Sequence, residues 1–385
     1  MKQAKQIALA FPRGAHQEEL INGVLRYAGE HDCNWTYITA PESLALSVLD
    51  LRGWRGDAII AAINTPAEAT CAKSIALPIV NISGTLAKTS VPRVSVDSRV
   101  IGELAADHLV ERGFRQFAYY GLGGVAYSAV RQEGFEERLA KSGFTSVSLL
   151  MPPTYQARSQ QWRDQQSKLV KWLTALPTPI GLFSVTDYRA RQVLDACRQV
   201  GLRIPQQVAV IGVDNEEVIC AHVQPRLSSV ARNNRQEGYH AAAMLDQLIR
   251  HKKLQSSEDT IQPLGVVARE STETVAFQDP RLCEAIDYLN QNIAMPVGVQ
   301  ELASHVGVSR RWMEYAFREA VGESPYQYIR NKRLKLAQHL LEKDTRLKIH
   351  EIARQTGFLS AKQFSVAFSQ EYGASPREYR CARQQ

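Results

Sequence analysis

No run in the 385-residue sequence approaches the roughly 18 consecutive apolar residues of a membrane span, which excludes helical membrane proteins and leaves no membrane partner to expect. Cysteine is sparse: the six residues, at 33, 71, 197, 220, 283 and 381, are scattered. None forms the short-spaced pair of a zinc or redox site, so reduced thiols in a reducing compartment are expected. A phosphate-cradling glycine loop, an HExxH zinc helix and a defensible Ser-His-Asp set are all missing. No catalytic residue, metal or cofactor is therefore expected, and the chain is not read as an enzyme. Low-complexity tracts are absent too. The start, Met1-Lys-Gln-Ala-Lys-Gln6, lacks the apolar core and cleavage site of a signal peptide, and a cytoplasmic protein is expected.

What is present is ordinary in bulk and uneven in charge. Hydrophobic content of 44% and charged content of 22% suit a globular chain of two or three domains. The net charge is +7, yet residues 281–385 hold 16 Lys and Arg against 11 Asp and Glu, while the preceding 280 hold 30 against 28. Most of the positive excess sits in about a quarter of the chain, which suggests a polyanionic partner for that part.

That basic part repeats itself. Gly322-Glu-Ser-Pro-Tyr-Gln-Tyr328 recurs as Gly373-Ala-Ser-Pro-Arg-Glu-Tyr379, and Glu301-Leu-Ala-Ser-His-Val-Gly307 as Glu351-Ile-Ala-Arg-Gln-Thr-Gly357. The offset of about 50 residues is the length of a small helical unit. Each copy has an apolar-Ala pair, a glycine suited to a left-handed turn, and then an amphipathic helix. This is a helix-turn-helix pattern. Two in tandem can enter successive major grooves of double-stranded DNA.

The spacing predicts a supporting helix over 299–306 and a reading helix over 310–321, with Ser309 as cap and Met313, Ala316, Phe317 and Ala320 facing the core. Arg310, Arg311, Glu314, Tyr315 and Arg318 then face outward, offering guanine, cytosine and thymine contacts. The second unit predicts helices over 349–356 and 361–372, capped by Ser360, with Phe364, Ala367 and Phe368 inward and Lys362, Gln363 and Val366 outward. Gln363 can read adenine, and Lys362 can take guanine or phosphate. Between them, 325–343 predicts a strut helix about 28 Å long, with Arg330, Lys332, Arg333 and Lys335 placed to meet phosphates. Asp279-Pro280 opens the helical region as cap and first-turn proline.

The first 275 or so residues alternate apolar runs with helical patterns. Strands are predicted over 6–11, 57–63, 79–83, 116–122, 180–185 and 208–214, with a last one at 261–267. Helices are predicted over 18–30, 100–112, 131–141, 189–200 and 236–250. This is an α/β pattern of parallel sheets, and the strands are too many for one sheet, so two lobes facing across a cleft are expected. Polar residues at strand ends mark the candidate site: Thr186, Asp187, Asp214 and Asn215, with Arg131, and with Arg13 and Asp97 in looser context. Carboxylates, an amide and guanidinium groups together suit a polyhydroxylated sugar. Phe11, Tyr127 and Tyr155 are the nearby rings. The segment 271–279 reads as a linker between a sensing part, 1–270, and a reading part, 280–385.

Two resemblances follow from these residues. Phe364-Ser-Val-Ala-Phe368, Gly373-Ala-Ser-Pro376 and Tyr379-Arg380, with Ile352-Ala353 and Gly357-Phe358, resemble the signature of the AraC/XylS family of bacterial transcription regulators over about residues 280–383. Phe117-Ala-Tyr-Tyr-Gly-Leu122, Thr186-Asp-Tyr-Arg-Ala-Arg191, Ile211-Gly-Val-Asp-Asn-Glu-Glu217 and Pro225-Arg-Leu-Ser-Ser-Val230 are similar to the effector domain of LacI/GalR-type repressors and periplasmic sugar-binding proteins, without the N-terminal headpiece. A sensor ahead of an AraC-type reader resembles pentose-responsive regulators of that order. The resemblance implies a bilobed periplasmic-binding-protein-like domain followed by a tandem helix-turn-helix domain. It further implies D-xylose as effector, and a homodimeric activator of pentose catabolic genes working with RNA polymerase. By position Arg131, Asp187, Asp214 and Asn215 match the polar contacts of that cleft, and Thr186 stands where the family often has Asn.

Four other readings stay open: a regulator of the same architecture responding to another pentose, a repressor, a purine-responsive regulator on the same scaffold, and a sugar-processing enzyme with Asp187 and Asp214 as paired carboxylates.

Overall fold

The computed structural model describes residues 4–11, 15–39, 46–153, 160–273, 279–343 and 347–382. They fall into two compact units, Met1–Ala276 and Phe277–Gln385. Among the described residues no helix is long and apolar enough to cross a membrane.

The first unit runs β1 (Lys5–Ala10), α1 (Ala15–Glu30), β2 (Trp35–Ile38), β3 (Ala58–Ala61), α2 (Pro66–Ser74), β4 (Ile79–Asn81), β5 (Arg93–Val96) and α3 (Ser98–Glu111). It continues through β6 (Phe117–Leu122), α4 (Ala126–Lys141), β7 (Ser146–Met151), α5 (Gln160–Ala175), β8 (Ile180–Ser184) and α6 (Asp187–Gln199). It closes with β9 (Val208–Val213), α7 (Glu217–Cys220), β10 (Ser228–Ala231), α8 (Asn234–Ile249), β11 (Glu258–Ile261) and β12 (Gly265–Val267). Two six-stranded sheets result, in the orders β11-β5-β4-β3-β1-β2 and β12-β10-β9-β8-β6-β7. Pairing is parallel except for β12, which runs antiparallel to β10 with Val230 opposite Val266. Strands β8 and β9 are buried along their whole length, which is why they read as continuous apolar runs rather than alternating ones.

The chain passes between the two lobes at Asp97, at Arg232-Asn233 and at Gln262-Pro263-Leu264. These crossings are knitted to their neighbours. The Asp97 amide donates to the Ile261 carbonyl at 2.8 Å, and the Leu264 amide to Ala231 at 2.9 Å. The single strand expected over 261–267 is thus two strands in different sheets. Pro263 has no amide hydrogen to continue a ladder, and the chain changes lobe there. Strands β2, β5, β7 and β10 and helices α2, α5 and α7 add to the elements expected from sequence.

Helices α3 and α4 pack closely enough that Gly102 and Gly134 interlock. A Cβ on Gly102 would lie 2.1 Å from the Arg131 carbonyl, and one on Gly134 would lie 2.2 Å from that of Arg99. This contact sets the height of α4, and with it the position of Arg131. At the end of the unit Ser271 and Thr272 are fully buried, so part of the stretch read as a linker belongs to the packed sensor.

The second unit is helical: α9 (Pro280–Gln291), α10 (Val299–His305), α11 (Arg310–Val321), α12 (Pro325–Lys343), α13 (Ile349–Gln355), α14 (Ala361–Tyr372) and α15 (Pro376–Ala382). The sequence repeat is a structural repeat. Ser309 caps α11 by accepting from the Trp312 amide at 3.1 Å, and Ser360 caps α14 by accepting from Gln363 at 3.1 Å. Gly307 and Gly357 take the left-handed turn with φ of 68° and 75°. Asp279 caps α9 as its side chain accepts from Arg281. Met313, Ala316 and Phe317 are buried on one side of the repeat, and Phe364, Ala367 and Phe368 on the other; Ala320 is half-buried.

Candidate functional site: ligand cleft and nucleic-acid interface

A cavity of about 830 Å³ opens between the two lobes of the first unit. The ends of β3, β4, β8 and β9, the start of α4 and the first two crossings deliver its polar lining. The first lobe presents Asn64, Ser83 and Thr85. These three share hydrogen bonds: the Ser83 hydroxyl donates to Asn64 Oδ1 at 2.7 Å, and that of Thr85 donates to the same oxygen at 3.0 Å. The second lobe presents Tyr127, Arg131, Thr186 and Asp214, and the crossings add Asp97 and Arg232. The first lobe adds the Arg93–Glu258 ion pair, closed at 2.7 Å, so charge lines both walls. Across the mouth, the Ala126 amide donates to the Thr85 carbonyl at 2.9 Å and the Tyr127 amide to Gly84 at 3.1 Å, joining the lobes by backbone alone.

Arg131 is 3% exposed, its guanidinium 4.8 Å above the Tyr127 ring and donating to the Val185 carbonyl. Burial pulls its pKa down, and the Asp214 charge works against that pull. Its Nε is buried without a hydrogen-bond partner among the described residues. Such a donor is costly to leave unmade and is available to an incoming acceptor. Arg232 places Nη1 3.7 Å from Asp214 Oδ1 and Nη2 2.8 Å from the fully buried Glu237 carboxylate.

Asp214 has φ of 109° and the next residue, Asn215, has φ of 52°. Two successive non-glycine residues in this region are strained, and such strain gathers at functional sites.

Not every expected residue lines the cavity. Asp97 and Thr186 do, while also acting as helix caps: Asp97 Oδ1 accepts from the Arg99 and Val100 amides, and Thr186 Oγ1 accepts from Arg189. Asp187 does not. It is 1% exposed beneath the floor, where it accepts from the Ser229 hydroxyl at 2.6 Å, the Glu216 amide at 2.9 Å and the Cys220 thiol at 3.2 Å. The reason is local. Thr186 takes the cap position, so Asp187 enters the first turn of α6 and faces inward. Asn215 also lies off the cavity, its Oδ1 accepting from Arg269 at 2.8 Å. Arg13 and Tyr155 lie outside the described residues, whereas Phe11 and Tyr127 line the cavity. Asn64, Ser83, Thr85 and Arg232 were missed; the first three stand at or just past the ends of apolar runs in the same way as Thr186 and Asp214, whereas Arg232 follows Ser228-Ser-Val-Ala231, which has no such pattern. The paired-carboxylate reading loses its geometry here, since Asp187 does not reach the cavity. Among the described residues no group of three or more metal-type ligands exists.

In the second unit Arg311, Tyr315 and Arg318 are exposed on α11, and Arg310 pairs with Glu314 at 3.2 Å along the same face. Lys362, Gln363 and Val366 are exposed on α14, and Leu359 just ahead of it is 79% exposed. Ser360 serves as the cap of α14.

The strut differs from expectation. Arg333 turns inward and donates to the carbonyls of Met295 at 2.7 Å and Val297 at 3.1 Å. Arg330 donates to the Ala367 carbonyl at 3.2 Å. Arg333 ties α12 to the α9–α10 connection, whose carbonyls have no helical partner, and Arg330 ties α12 to α14. Lys332 lies 5.8 Å from the Tyr328 ring centre. A second groove, of about 570 Å³, gathers Lys348, His350, Lys362, Arg377 and Arg380 around the starts of α13 and α15.

Residues 106–272 match the family of periplasmic binding protein-like domains, and residues 302–382 match a helix-turn-helix domain. The chain is 30% identical over 373 residues to the xylose operon regulatory protein of Escherichia coli strain K12, across 95% of this chain and 94% of that one. It is 28% identical over 391 residues to the protein of the same name from Haemophilus influenzae, across 98% and 99%. The solved structure of a xylose-binding transcription activator, xylR, is similar with a TM-score of 0.78 at 29% identity, covering 99% of both chains. The chain therefore belongs to the family of xylose operon regulatory proteins, as a transcription regulator with a periplasmic-binding-protein-like domain ahead of a helix-turn-helix domain, and is not an enzyme.

Proposed function

We propose that this regulator is a cytoplasmic, D-xylose-responsive activator of pentose catabolic genes. The sugar enters the interlobe cavity, where Arg131, Asp214 and Thr186 meet its hydroxyls, with Asp97 and Arg232 at the crossings and Asn64 on the facing wall. The observation that carries this reading is the pairing of a buried, incompletely bonded Arg131 with the strained Asp214 in one cavity. A neutral polyol accepts from the one and donates to the other without bringing a new charge into a buried site. The cavity volume also lies in the range of small-molecule sites.

Residues 310–318 and 359–366 read base edges in two successive major grooves, and the cationic groove at Lys348 and Arg377 meets phosphate. Segment 274–279 is the linker left between the units once Ser271 and Thr272 are counted with the sensor. A homodimer on paired half-sites, engaging RNA polymerase, completes the scheme. Sugar must favour the DNA-competent arrangement by differential affinity.

The test is a calorimetric panel of D-xylose, L-arabinose and D-ribose on the full chain, followed by operator titration with and without the sugar that binds. D-xylose should bind most tightly, and Asp214→Ala should weaken it about tenfold or more, the loss of a charged hydrogen bond. No heat with any pentose, or an unchanged operator affinity when sugar is present, ends the reading.

A further inference from the structure

Asn215 matched a sugar contact by position, yet it points to the place where the sensor ends. Its Oδ1 accepts from Arg269 Nη2 at 2.8 Å, while its neighbour Asp214 lines the cavity. The two positive φ values, 109° and 52°, send the adjacent side chains to opposite destinations. Arg269 is held on further points. Its Nη1 donates to the Leu227 carbonyl at 2.9 Å, and its amide donates to the Ser228 hydroxyl at 2.8 Å.

The residues that follow Arg269 are equally fixed. Ser271 donates to the Val210 carbonyl at 2.6 Å, on β9, which ends one residue before Asp214. Thr272 shares hydrogen bonds with Ser228 at 2.7 Å and with His108 at 2.8 Å, and its carbonyl accepts from Arg112 at 2.7 Å. Segment 269–273 thus lies across β9, β10 and α3 and is the last described stretch before the second unit begins at Phe277. One peptide unit separates the cavity residue from the residue that grips this segment.

We propose that Asn215 and Arg269 form the coupling between cleft and exit segment: a change at Asp214 on ligand binding is passed through Asn215 to Arg269, and so to the start of the chain that leads to the reader. Both are positioning residues, and neither touches ligand. The proposal rests on the sugar-sensing reading above for its input. It assigns to this pair the coupling free energy that any effector-controlled binder must carry, and supplies a physical contact rather than mere intermediacy.

Asn215→Gly removes the acceptor while keeping the left-handed backbone available. Asn215→Asp keeps the acceptor. In the full chain, Asn215→Gly should leave D-xylose affinity within about threefold of the parent and cut the sugar-induced change in operator affinity by about tenfold or more, within the usual range of coupling energies. Asn215→Asp should retain the parent response, and Arg269→Lys, which loses the planar fork, should behave like the glycine variant. A purely structural role would instead lower the unfolding midpoint and sugar affinity together. Hydrogen exchange of segment 269–273 in sugar-free protein reads the tie independently of which effector binds. It should quicken in Asn215→Gly by about tenfold and stay unchanged in Asn215→Asp. A full sugar response in Asn215→Gly, or unchanged exchange in 269–273, overturns the coupling. Absence of pentose binding by the parent chain overturns only the effector assignment, and the exchange result still decides the tie.

Discussion

Asp187 accepts the Ser229 hydroxyl at 2.6 Å from a position only 1% exposed, directly under the turn that carries Asp214. Its other oxygen takes the Glu216 amide at 2.9 Å. The carboxylate therefore holds the turn at Glu216 directly and at Asn215 through Ser229, whose hydroxyl oxygen accepts from the Asn215 amide at 3.0 Å, and the strained Asp214 keeps its place because its surroundings are over-determined. Asp187→Ala should destabilise the protein by about 1–3 kcal/mol, the cost of stranding buried donors. It should also weaken sugar binding although Asp187 lines no part of the cavity. Urea unfolding together with calorimetry checks both, and an Asp187→Ala protein with parent sugar affinity would remove the supporting role.

Two buried groups give the first unit opposite pH dependences. Burial, with the Asp214 charge second, raises the Asp187 carboxyl to about 7. Its contribution to stability is complete below the unfolded value of about 4 and is lost as pH rises toward neutrality. Burial, with Arg112 second, lowers His108 to about 3. Its contribution is present above about 6.5 and is lost as pH falls through that lower value. His108→Gln keeps a neutral hydrogen-bonding side chain. The stability difference between parent and His108→Gln should therefore shrink steadily from pH 6.5 to pH 4, by up to about 1.4 kcal/mol per pH unit. A difference independent of pH, measured by denaturant midpoints, would show that His108 is not held neutral.

How much of this was legible depended on whether a signal was local. Caps, turn glycines and helical periodicity all act within a few residues, so α11, α12 and α14 begin where Ser309, Pro325 and Ser360 predict, and α11 and α14 stop at Gly322 and Gly373. Strands β2, β5 and β10 are four residues each. At that length, period-two patterning has too few positions to stand out from loop. Helix α5 carries Gln, Lys and Arg over most of its length and buries only Gln165, Leu169 and Leu173, a narrow stripe. The site was half legible for a related reason. Strand ends could be located, but which of two neighbours faces the cavity is set by where the next helix starts. That choice put Thr186 in the cleft and Asp187 beneath it. Arg330 and Arg333 look like phosphate ligands from charge and spacing. Only the fold reveals the carbonyls they serve.

The α3–α4 crossing has no room for a side chain. Gly102→Ala would push a methyl to within 2.1 Å of the Arg131 backbone carbonyl. Backbone cannot swing aside as a flexible side chain can, so the helices must separate, at a cost of about 1–3 kcal/mol for overpacking. Arg131 moves with α4, so sugar affinity should fall as well. Thermal unfolding and calorimetry on Gly102→Ala test the pair of effects; an unchanged melting temperature would mean that the helices already tolerate a wider spacing.

The reader separates its arginines by what surrounds them, and operator titrations at several salt concentrations should show it. Arg311 is exposed on α11. Arg311→Ala should leave thermal stability unchanged and cost about 1–3 kcal/mol of operator affinity, lost mainly through one base pair. Arg333 instead bridges the Met295 and Val297 carbonyls, and burial lowers its pKa. Arg333→Ala should lower the unfolding midpoint of the chain and weaken all DNA sequences alike. At temperatures where the variant is folded, its affinity should fall with rising salt as steeply as the parent's, because no phosphate contact has been removed. Arg377→Ala, from the cationic groove, should do the reverse: stability kept, and a salt slope shallower by about one. If Arg333→Ala flattened the salt slope and Arg377→Ala did not, the two roles assigned from the packing would be exchanged.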